Sequence, residues 1–264
     1  MTTKTLPTNP RELRGLIRSG KWTKTTVGLA SGYVHANLAV LPKELAFDFL
    51  LFCQRNPEPC PLLEVVEAGD VEAKQFAPGS DLRTDLPRYR VFRSGEPVEE
   101  VADAAEHWRE DLVSFLIGCS FTFQRAVEEA GIVLRHFDQG QSDATFVSNI
   151  PTKPAGVFHG PMVVSMWPIH WSHVSRVVQI TSRFPAAHGA PVHIGDPSAI
   201  GIKDILKPEY GDAIELREGE VPVFWGCGVT PQEAILRSKP SLAITHSAGH
   251  MFITDVRDQE IAAL

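Results

Sequence analysis

The chain has 264 residues, 43% hydrophobic and 22% charged, a composition typical of a globular protein with a full core. Its formal net charge at pH 7 is -7, and it has no basic run interleaved with aromatic residues, which argues against nucleic acid as a partner. No apolar stretch is long enough to span a bilayer, and the first residues lack the apolar core of a signal peptide, so we expect no membrane association. The four cysteines form no C-x-x-C pair, and we predict a reduced, cytoplasmic protein.

The beginning of the chain predicts two helices and a strand. A short helix opens at Asn9 and ends at Gly20. A stronger helix begins near Pro42, carries apolar residues on one face, and must end before Pro57. Residues 62–66 are β-prone and predict a strand.

Residues 69–87 form a polar, turn-rich connection with a dense set of charges around its end. Arginine is suited to bidentate binding of a carboxylate. One interpretation is that Arg83 or Arg88 holds an acidic substrate, while Asp81 or Asp85 orients the arginine. The alternative is a solvated loop whose ion pairs add little to stability, and the residues by themselves slightly favour this alternative.

The middle of the chain shows hairpin and helix-pair patterns. A hairpin is predicted at residues 88–101. An amphipathic helix is predicted from residue 103 or 104 to Ile117, and a second helix from Ser120 to Ala130. Residues 162–167 predict a strand.

Two turns in the last third of the chain share one design, in which an apolar run leads through glycine to an N-cap residue and then to proline. These turns are Gly195-Asp196-Pro197 and Gly226-Cys227-Gly228-Val229-Thr230-Pro231. Thr230 and Glu233 also have the spacing of a capping box. Strand-to-helix turns bind ligands in α/β proteins, and their unpaired N–H groups favour anions. Ordinary capped helices with nothing bound are the alternative.

Strand and helix patterns alternate around these turns to the end of the chain, which indicates a mainly parallel sheet. We therefore predict an α/β fold with a mainly parallel sheet and helices on both faces, plus an inserted smaller α+β domain. Residues 1–79 and 169–264 would form the α/β domain, and residues 80–168 the inserted domain.

Two cysteines lie at predicted helix starts. Cys119 precedes Ser120 between two predicted helices, and Cys227 lies between two glycines at a strand end. A thiol at a helix N-terminus has a lowered pKa and can act as a nucleophile or an acid. The alternative is a buried core residue, which is the usual state of a free cysteine.

His246 follows a predicted strand and is the best general acid–base candidate, because the ordinary pKa of histidine is close to neutrality. His250 follows four residues later, but Gly249 indicates a loop and no H-E-x-x-H motif is present, which disfavours a metal hydrolase. Asp255 could orient a histidine or simply end a strand. The glycines form no nucleotide-binding motif, so we predict neither a metal nor a cofactor.

Several stretches resemble the D-glutamate cyclase family, whose bacterial members are labelled hydro-lyases, and they extend over most of the chain from about Pro10 to Asp255. These stretches are residues 33–42, 48–57, 60–63, 81–90, 118–123, 193–201, 221–232 and 245–255. Gln124 stands where the family commonly has Glu, and Trp167 where it commonly has Arg. If either residue contacts the substrate, that substrate would differ from D-glutamate.

The resemblance implies a two-domain α/β architecture and a cofactor-free loss of water from D-glutamate to give 5-oxo-D-proline. In this reaction the amine attacks its own γ-carboxyl group and the elements of water leave. The site needs a base for the ammonium, an acid for the departing oxygen, and donors for a developing oxyanion.

On this hypothesis Arg83 and Arg88 hold carboxylate groups, and His246 or Asp196 moves protons, with Cys227 as a further catalytic candidate. Backbone N–H groups at one of the two glycine turns stabilise the oxyanion. The expected substrate contacts are Asp81, Arg83, Asp85, Arg88, Cys119, Ser120, Gly195, Gly226, Gly228 and His250.

A non-catalytic module that binds an acidic small molecule is the alternative function. Such a module needs the arginines but no acid–base pair. The sequence leaves open whether the protein is a monomer or a homodimer.

Overall fold

The computed structural model of the protein describes residues 7–139 and 141–263 and contains two β-sheets. The strands, in chain order, are β1 (Tyr33–Pro42), β2 (Leu62–Val66), β3 (Tyr89–Arg93), β4 (Glu96–Val101), β5 (Leu112–Gly118), β6 (Ala144–Pro151), β7 (Pro161–His170), β8 (His193–Ile194), β9 (Glu220–Gly226), β10 (Ala243–His246) and β11 (Phe252–Arg257). The α-helices are α1 (Pro10–Arg18), α2 (Lys43–Arg55), α3 (Phe121–Glu129), α4 (Arg135–Asp138), α5 (Val174–Thr181) and α6 (Thr230–Ser238). None of these described helices is both long and apolar enough to cross a membrane.

The larger sheet is organised around β1. Its strand order is β2-β5-β1-β10-β3-β4, and β11 also pairs with β1. β5 lies along one edge of β1, while β11 and β10 share the opposite edge, β11 near the start of the strand and β10 near its end. The smaller sheet has the order β6-β7-β9-β8.

All pairings between these strands are antiparallel, so the predicted mainly parallel sheet with helices on both faces is wrong. The prediction rested on apolar runs that are typical of strands buried on both faces. β1 is such a run, since Leu38 and Val40 enter one core while Ala39 and Leu41 enter another. Burial on both faces does not fix strand direction, because an antiparallel sheet can also be covered on both sides. Here α2 and α6 cover one face, and residues 71–86 cover the other.

The predicted helix at residues 103–117 is also wrong. These residues form a 3-10 turn at Ala105–His107 and then the strand β5. Leu112 and Leu116 enter one core and Phe115 enters the other, which is the two-residue period of a strand. The strand has no polar face because a core covers each of its two faces, one around Leu116 and the other around Phe115.

Other predicted elements are confirmed, including the hairpin of β3 and β4 and the helix α3. Residues 80–168 supply β3, β4 and β5 to the larger sheet and β6 and β7 to the smaller one. The division of the chain into an inserted domain and a surrounding domain stays a prediction.

An aromatic core joins the smaller sheet to α3 and α5. The ring centroid of Phe123, on α3, lies 5.3 Å from that of Trp167 and 6.1 Å from that of Trp225. Val177 of α5 packs into the same core. This core fixes the start of α3 relative to the smaller sheet, although the strand that precedes α3 belongs to the larger sheet.

Buried ion pairs hold α1 to the larger sheet. Arg14 is 2% exposed and donates to the carbonyl oxygen of Ile253 at 2.8 Å and to Oδ1 of Asp255 at 3.0 Å. Asp85 is fully buried and accepts from Nε and Nη2 of Arg18, both at 2.7 Å, with Nε of Arg14 at 3.8 Å. Because a buried charge is costly unless it is paired, these contacts fix α1 against β11 and against the loop before β3.

We expect Asp85→Ala to lower the free energy of unfolding by about 1–3 kcal/mol, because the change removes the buried carboxylate that accepts from Arg18 and from the N–H of Asp81, and it leaves that N–H without its acceptor. Urea denaturation measures the loss. Arg109→Ala is the matched control, since its pair with Asp111 is exposed and should contribute less than about 1 kcal/mol. Equal effects of the two variants would contradict a structural role for the buried cluster.

Candidate functional site

A narrow cavity of about 40 Å³, called the inner cavity below, lies where the two sheets meet. The larger sheet contributes Asn37 of β1 and the loop between β10 and β11. The smaller sheet contributes Thr145 of β6 and Ser165 of β7. Two strand-to-helix turns, one from each sheet, complete the walls.

These two turns contain four of the predicted site residues. β5 ends at Gly118, and Cys119 and Ser120 connect it to α3; Cys227 and Gly228 follow β9 and lead to α6. Cys119, Ser120, Cys227 and Gly228 all line the inner cavity. The second turn was predicted as a ligand site from its glycines, and the structure places it at a cavity.

Asn37 connects the two turns. Its side-chain Nδ2 donates to the carbonyl oxygens of Gly118 at 2.7 Å and Ile117 at 3.2 Å. Gly228 packs on the same amide so closely that a Cβ at this position would lie 1.9 Å from Nδ2 of Asn37. Glycine is therefore required at residue 228 by a close approach between elements.

The two thiols of the inner cavity are protonated at neutral pH. Burial raises the pKa of Cys227 to about 11, and it raises the pKa of Cys119 further. Weaker influences lower each pKa: the hydroxyl of Ser165 and the N–H of Val229 act on Cys227, and the N–H of Phe121 acts on Cys119. The nearby charge of Asp143 acts with burial and raises the pKa of both thiols.

Asp143 is the acidic side chain that lines the inner cavity, and the sequence analysis missed it. The residue is only 8% exposed, and its Oδ1 accepts from Nε1 of Trp167 at 2.9 Å. Nε2 of the fully buried His136 lies 3.7 Å from the same oxygen. Among the described residues, no side-chain hydrogen bond occupies Oδ2 of Asp143, so this oxygen is free to receive a proton or a donor from a ligand.

His188 is a second residue of the inner cavity that the sequence analysis missed. Its Nδ1 lies 2.8 Å from the carbonyl oxygen of Glu58, a contact in which the ring must donate, so Nε2 carries no proton in the neutral ring. Burial lowers the pKa of His188 to about 4, and the imidazole is therefore neutral at pH 7.

The predicted histidines lie close to the inner cavity but do not line it. His246 is buried in β10, with Nδ1 3.2 Å from the backbone nitrogen of Leu38 and 3.3 Å from its carbonyl oxygen. Burial lowers the pKa of His246 to about 4. His250 is partly buried in the following loop, where Nδ1 bonds the carbonyl oxygen of Ala248 at 2.8 Å. Ala248 and Gly249 of that loop are the residues that reach the cavity.

The two arginines that were predicted to bind a carboxylate do not line the inner cavity. Nη2 of Arg83 lies 2.7 Å from Oδ2 of Asp81, and Nη1 of Arg88 lies 3.7 Å from Oε2 of Glu100. Asp85 belongs to the buried cluster around α1. No lysine or arginine is among the described residues that line the inner cavity.

The predicted turn at Gly195 and Asp196 also lies away from the inner cavity. Asp196 accepts from the N–H of Ser198 at 2.9 Å and caps a 3-10 turn of four residues, Pro197–Ile200, where a helix was expected. Its carboxylate is exposed. Gly226 likewise does not line the cavity, but it lies directly before Cys227 and packs on the backbone of Glu58.

The predicted capping box at the start of α6 is absent from the structure. The hydroxyl of Thr230 bonds the carbonyl oxygen of Cys227 at 2.8 Å instead of capping the helix. Oε1 of Glu233 accepts from the hydroxyl of Tyr210, another residue of the inner cavity, at 2.8 Å.

A larger cavity of about 380 Å³, the outer cavity, lies beside the inner one. Phe121 lines both, and its ring packs edge-on against His35 and Phe137 of the outer cavity. The outer cavity also contains Gln124, whose Nε2 donates to Oε1 of Glu128 at 2.8 Å. Trp167, the other position that departs from the family pattern, is fully buried and bonds Asp143 behind the inner cavity.

Metal ligation is not indicated by the arrangement of side chains. Within residues 7–139 and 141–263, no three histidine, cysteine, aspartate or glutamate side chains are grouped so that they could bind a metal ion.

Comparison with known proteins identifies relatives over nearly the whole chain. The D-glutamate cyclase family model matches residues 113–255. The chain is 56% identical over 258 residues to "Putative hydro-lyase GK2103" of Geobacillus kaustophilus, covering 98% of each chain. It is 54% identical over 255 residues to "Putative hydro-lyase YcsI" of Bacillus subtilis, covering 97% of this chain and 99% of the relative.

We expect the free energy of unfolding to fall as the pH is lowered from about 6.5 to about 4. Burial lowers the pKa of His35, His188 and His246 to about 4, whereas an unfolded histidine titrates near about 6.5. Between these values the unfolded state binds more protons, so the stability present above the window is lost, up to about 3 kcal/mol for each residue. Urea titrations across this range measure the loss.

The variant His188→Asn tests how much one of these buried histidines contributes to the loss of stability at low pH. Asparagine tolerates the left-handed backbone of this position, where φ is 79°, and its amide can donate as Nδ1 of the histidine does. The variant should lose less stability than the wild type on acidification. An unchanged pH profile would contradict a neutral, buried imidazole at residue 188.

Proposed function

Because this chain belongs to the D-glutamate cyclase family, we propose that it is a hydro-lyase that removes water from a small acidic metabolite bound in the inner cavity. The observation that carries the proposal is the buried carboxyl group of Asp143, whose Oδ2 receives no side-chain hydrogen bond from the described residues, in a cavity bounded by two strand-to-helix turns. The substrate that the family suggests is D-glutamate, with 5-oxo-D-proline as the product.

Asp143 is suited to the proton transfers of this cyclisation. When the amine attacks the γ-carboxyl carbon, the C–N bond forms, one C–O bond breaks, and two protons move from nitrogen to the departing oxygen. Oδ2 of Asp143 can accept a proton from the ammonium group and return it to that oxygen, while the indole of Trp167 keeps the carboxyl group in place. The protein therefore returns to its starting state after each turnover.

Helix dipoles, and not arginine side chains, would stabilise the negative charge of the substrate. The starts of α3 and α6 both lie at the inner cavity, and helix N-termini stabilise anions. Hydroxyl groups of Ser120 and Ser165 add donors around the same space. N–H groups of the two turns can also stabilise an oxyanion on the attacked carbon.

Substrate binding requires the inner cavity to widen. A cavity needs roughly 10–15 Å³ for each water molecule, so the 40 Å³ observed is room for a few waters and too little for a five-carbon diacid. Phe121 lines both this space and the 380 Å³ outer cavity, with its ring packed against His35 and Phe137. Displacement of this ring from His35 and Phe137 would join the two spaces without moving a strand.

Asp143→Asn should reduce turnover of D-glutamate by at least about 100-fold, because the amide cannot accept the ammonium proton. Mass spectrometry of the loss of one water measures the reaction, and circular dichroism checks the fold. Asp111→Asn, an exposed residue beside Arg109, is the control and should keep wild-type turnover. Binding of D-glutamate without any turnover by the wild type would instead favour a binding module.

Phe121→Trp should raise KM for D-glutamate about tenfold or more with a smaller change in kcat, because a larger ring obstructs the space the substrate must enter. Phe121→Ala should not raise KM, since it enlarges that space. Steady-state kinetics of both variants separate the two effects. A tryptophan variant with the wild-type KM would refute the assignment of Phe121 as the movable wall.

A further inference from the structure

We propose that Asp143, His188 and Asn37 together bind an ammonium group, so that the inner cavity accepts amino acids and rejects hydroxy acids and plain diacids of the same shape. The inference rests on the inner cavity of the proposed function and narrows its small acidic metabolite to one that carries an amine. It does not depend on the water-loss step.

The three side chains line the inner cavity and each has a hydrogen-bond acceptor that the described residues leave unused. Oδ2 of Asp143 receives no side-chain hydrogen bond. Nδ1 of the neutral His188 ring donates to the carbonyl oxygen of Glu58, so Nε2 is an acceptor, and it has no partner. Both hydrogens on Nδ2 of Asn37 go to carbonyl oxygens, which fixes the amide so that Oδ1 is an unpaired acceptor.

Burial makes these unused acceptors significant. Asn37 and His188 are each 2% exposed and Asp143 is 8% exposed. A buried polar group without a partner costs free energy, so most such groups in folded proteins are paired. Three unpaired acceptors on the walls of one small cavity therefore indicate that a ligand supplies the donors.

Close backbone contacts bring the three residues together from separate elements. The carbonyl oxygen of Gly118 accepts from Asn37 at 2.7 Å, and a Cβ on Gly118 would lie 1.8 Å from the carbonyl oxygen of Ala186. The strand end held by Asn37 thus packs directly on the segment that leads to His188. From the other side, the charge of Asp143 acts on the thiols of both turns that line the cavity.

An ammonium group matches this arrangement in donors, charge and size. It has three N–H donors and no lone pair, and its positive charge pairs with the carboxylate of Asp143. No lysine or arginine among the described residues lines the cavity to compete for that carboxylate. The group is about as large as a water molecule, for which roughly 10–15 Å³ suffices, so the 40 Å³ cavity holds it. A hydroxyl has one donor and would turn its lone pairs toward the remaining acceptors.

The experiment compares three four-carbon acids by isothermal titration calorimetry with the full-length protein. Aspartate carries an amine, malate carries a hydroxyl in its place, and succinate carries neither; aspartate and malate are used as both enantiomers. None of them can close the lactam ring of 5-oxoproline, so binding is measured apart from cyclisation. One enantiomer of aspartate should bind at least about 100-fold more tightly than malate or succinate, because each of the latter leaves buried acceptors unpaired.

The variant His188→Asn separates recognition of the amine from a structural role. Its amide can still donate to the carbonyl oxygen of Glu58 and tolerates the φ of 79°, but it lacks an acceptor at the place of Nε2. Affinity for aspartate should fall about tenfold or more, with affinity for succinate within about twofold of the wild type. A structural defect would weaken both. His159→Asn is the matched control, because His159 is exposed and does not line the cavity.

Asp143→Asn should abolish the preference for the amine. Oδ1 of this side chain accepts from Trp167, so the new NH2 group takes the place of Oδ2 and opposes an ammonium donor. Affinity for aspartate should fall at least about 100-fold while that for succinate does not fall. Thermal melting checks that all variants fold.

A wild type that binds neither enantiomer of aspartate, or that binds malate or succinate as tightly, would overturn the inference. An equal loss of affinity for aspartate and succinate in His188→Asn would also overturn it. Loss of water from D-glutamate is followed separately by mass. Cyclisation without a preference for the amine would leave the proposed function standing and overturn this inference, whereas selective binding of aspartate without cyclisation would do the reverse.

Discussion

The contact between Asn37 and Gly228 is the constraint on which the site depends. Asn37 belongs to the central strand of the larger sheet, and Gly228 belongs to a turn of the smaller one. The amide of Asn37 also bonds Gly118, at the end of the strand that leads to Cys119. One side chain therefore sets the distance between two turns that have no covalent connection nearby. A longer side chain at residue 228 would push the turns apart and open the space between them.

The parts of the site that are formed by residues next to one another in the chain could be predicted from the sequence. The glycines around Cys227 and the pair Cys119-Ser120 indicate strand-to-helix turns within a few residues, and both turns line the cavity. Asn37, Asp143 and His188 could not be found in this way, because each comes from a different element and their proximity depends on strand pairing. Nothing in the residues next to Asp143 distinguishes it from a surface aspartate.

The errors of the sequence analysis have physical causes. Alternating apolar runs and helix patterns indicated buried strands, but they do not encode whether neighbouring strands run in the same direction. The charged segment around Arg83 suggested a carboxylate site, yet its charges find partners within the protein: Arg83 pairs with Asp81, and Asp85 pairs with Arg18. His246 was chosen for its ordinary pKa, and burial against the backbone of Leu38 changes that pKa.

The position of β1 also affects how the molecule is assembled. The pairings that complete one of its edges join residues about 200 positions apart in the chain, such as Ala39 with Thr245 and His35 with Ile253. Until these pairings form, that edge presents unsatisfied backbone N–H and C=O groups, which is a state prone to pairing with other chains. The architecture therefore makes completion of the central sheet depend on contacts between distant segments, and such contacts form slowly.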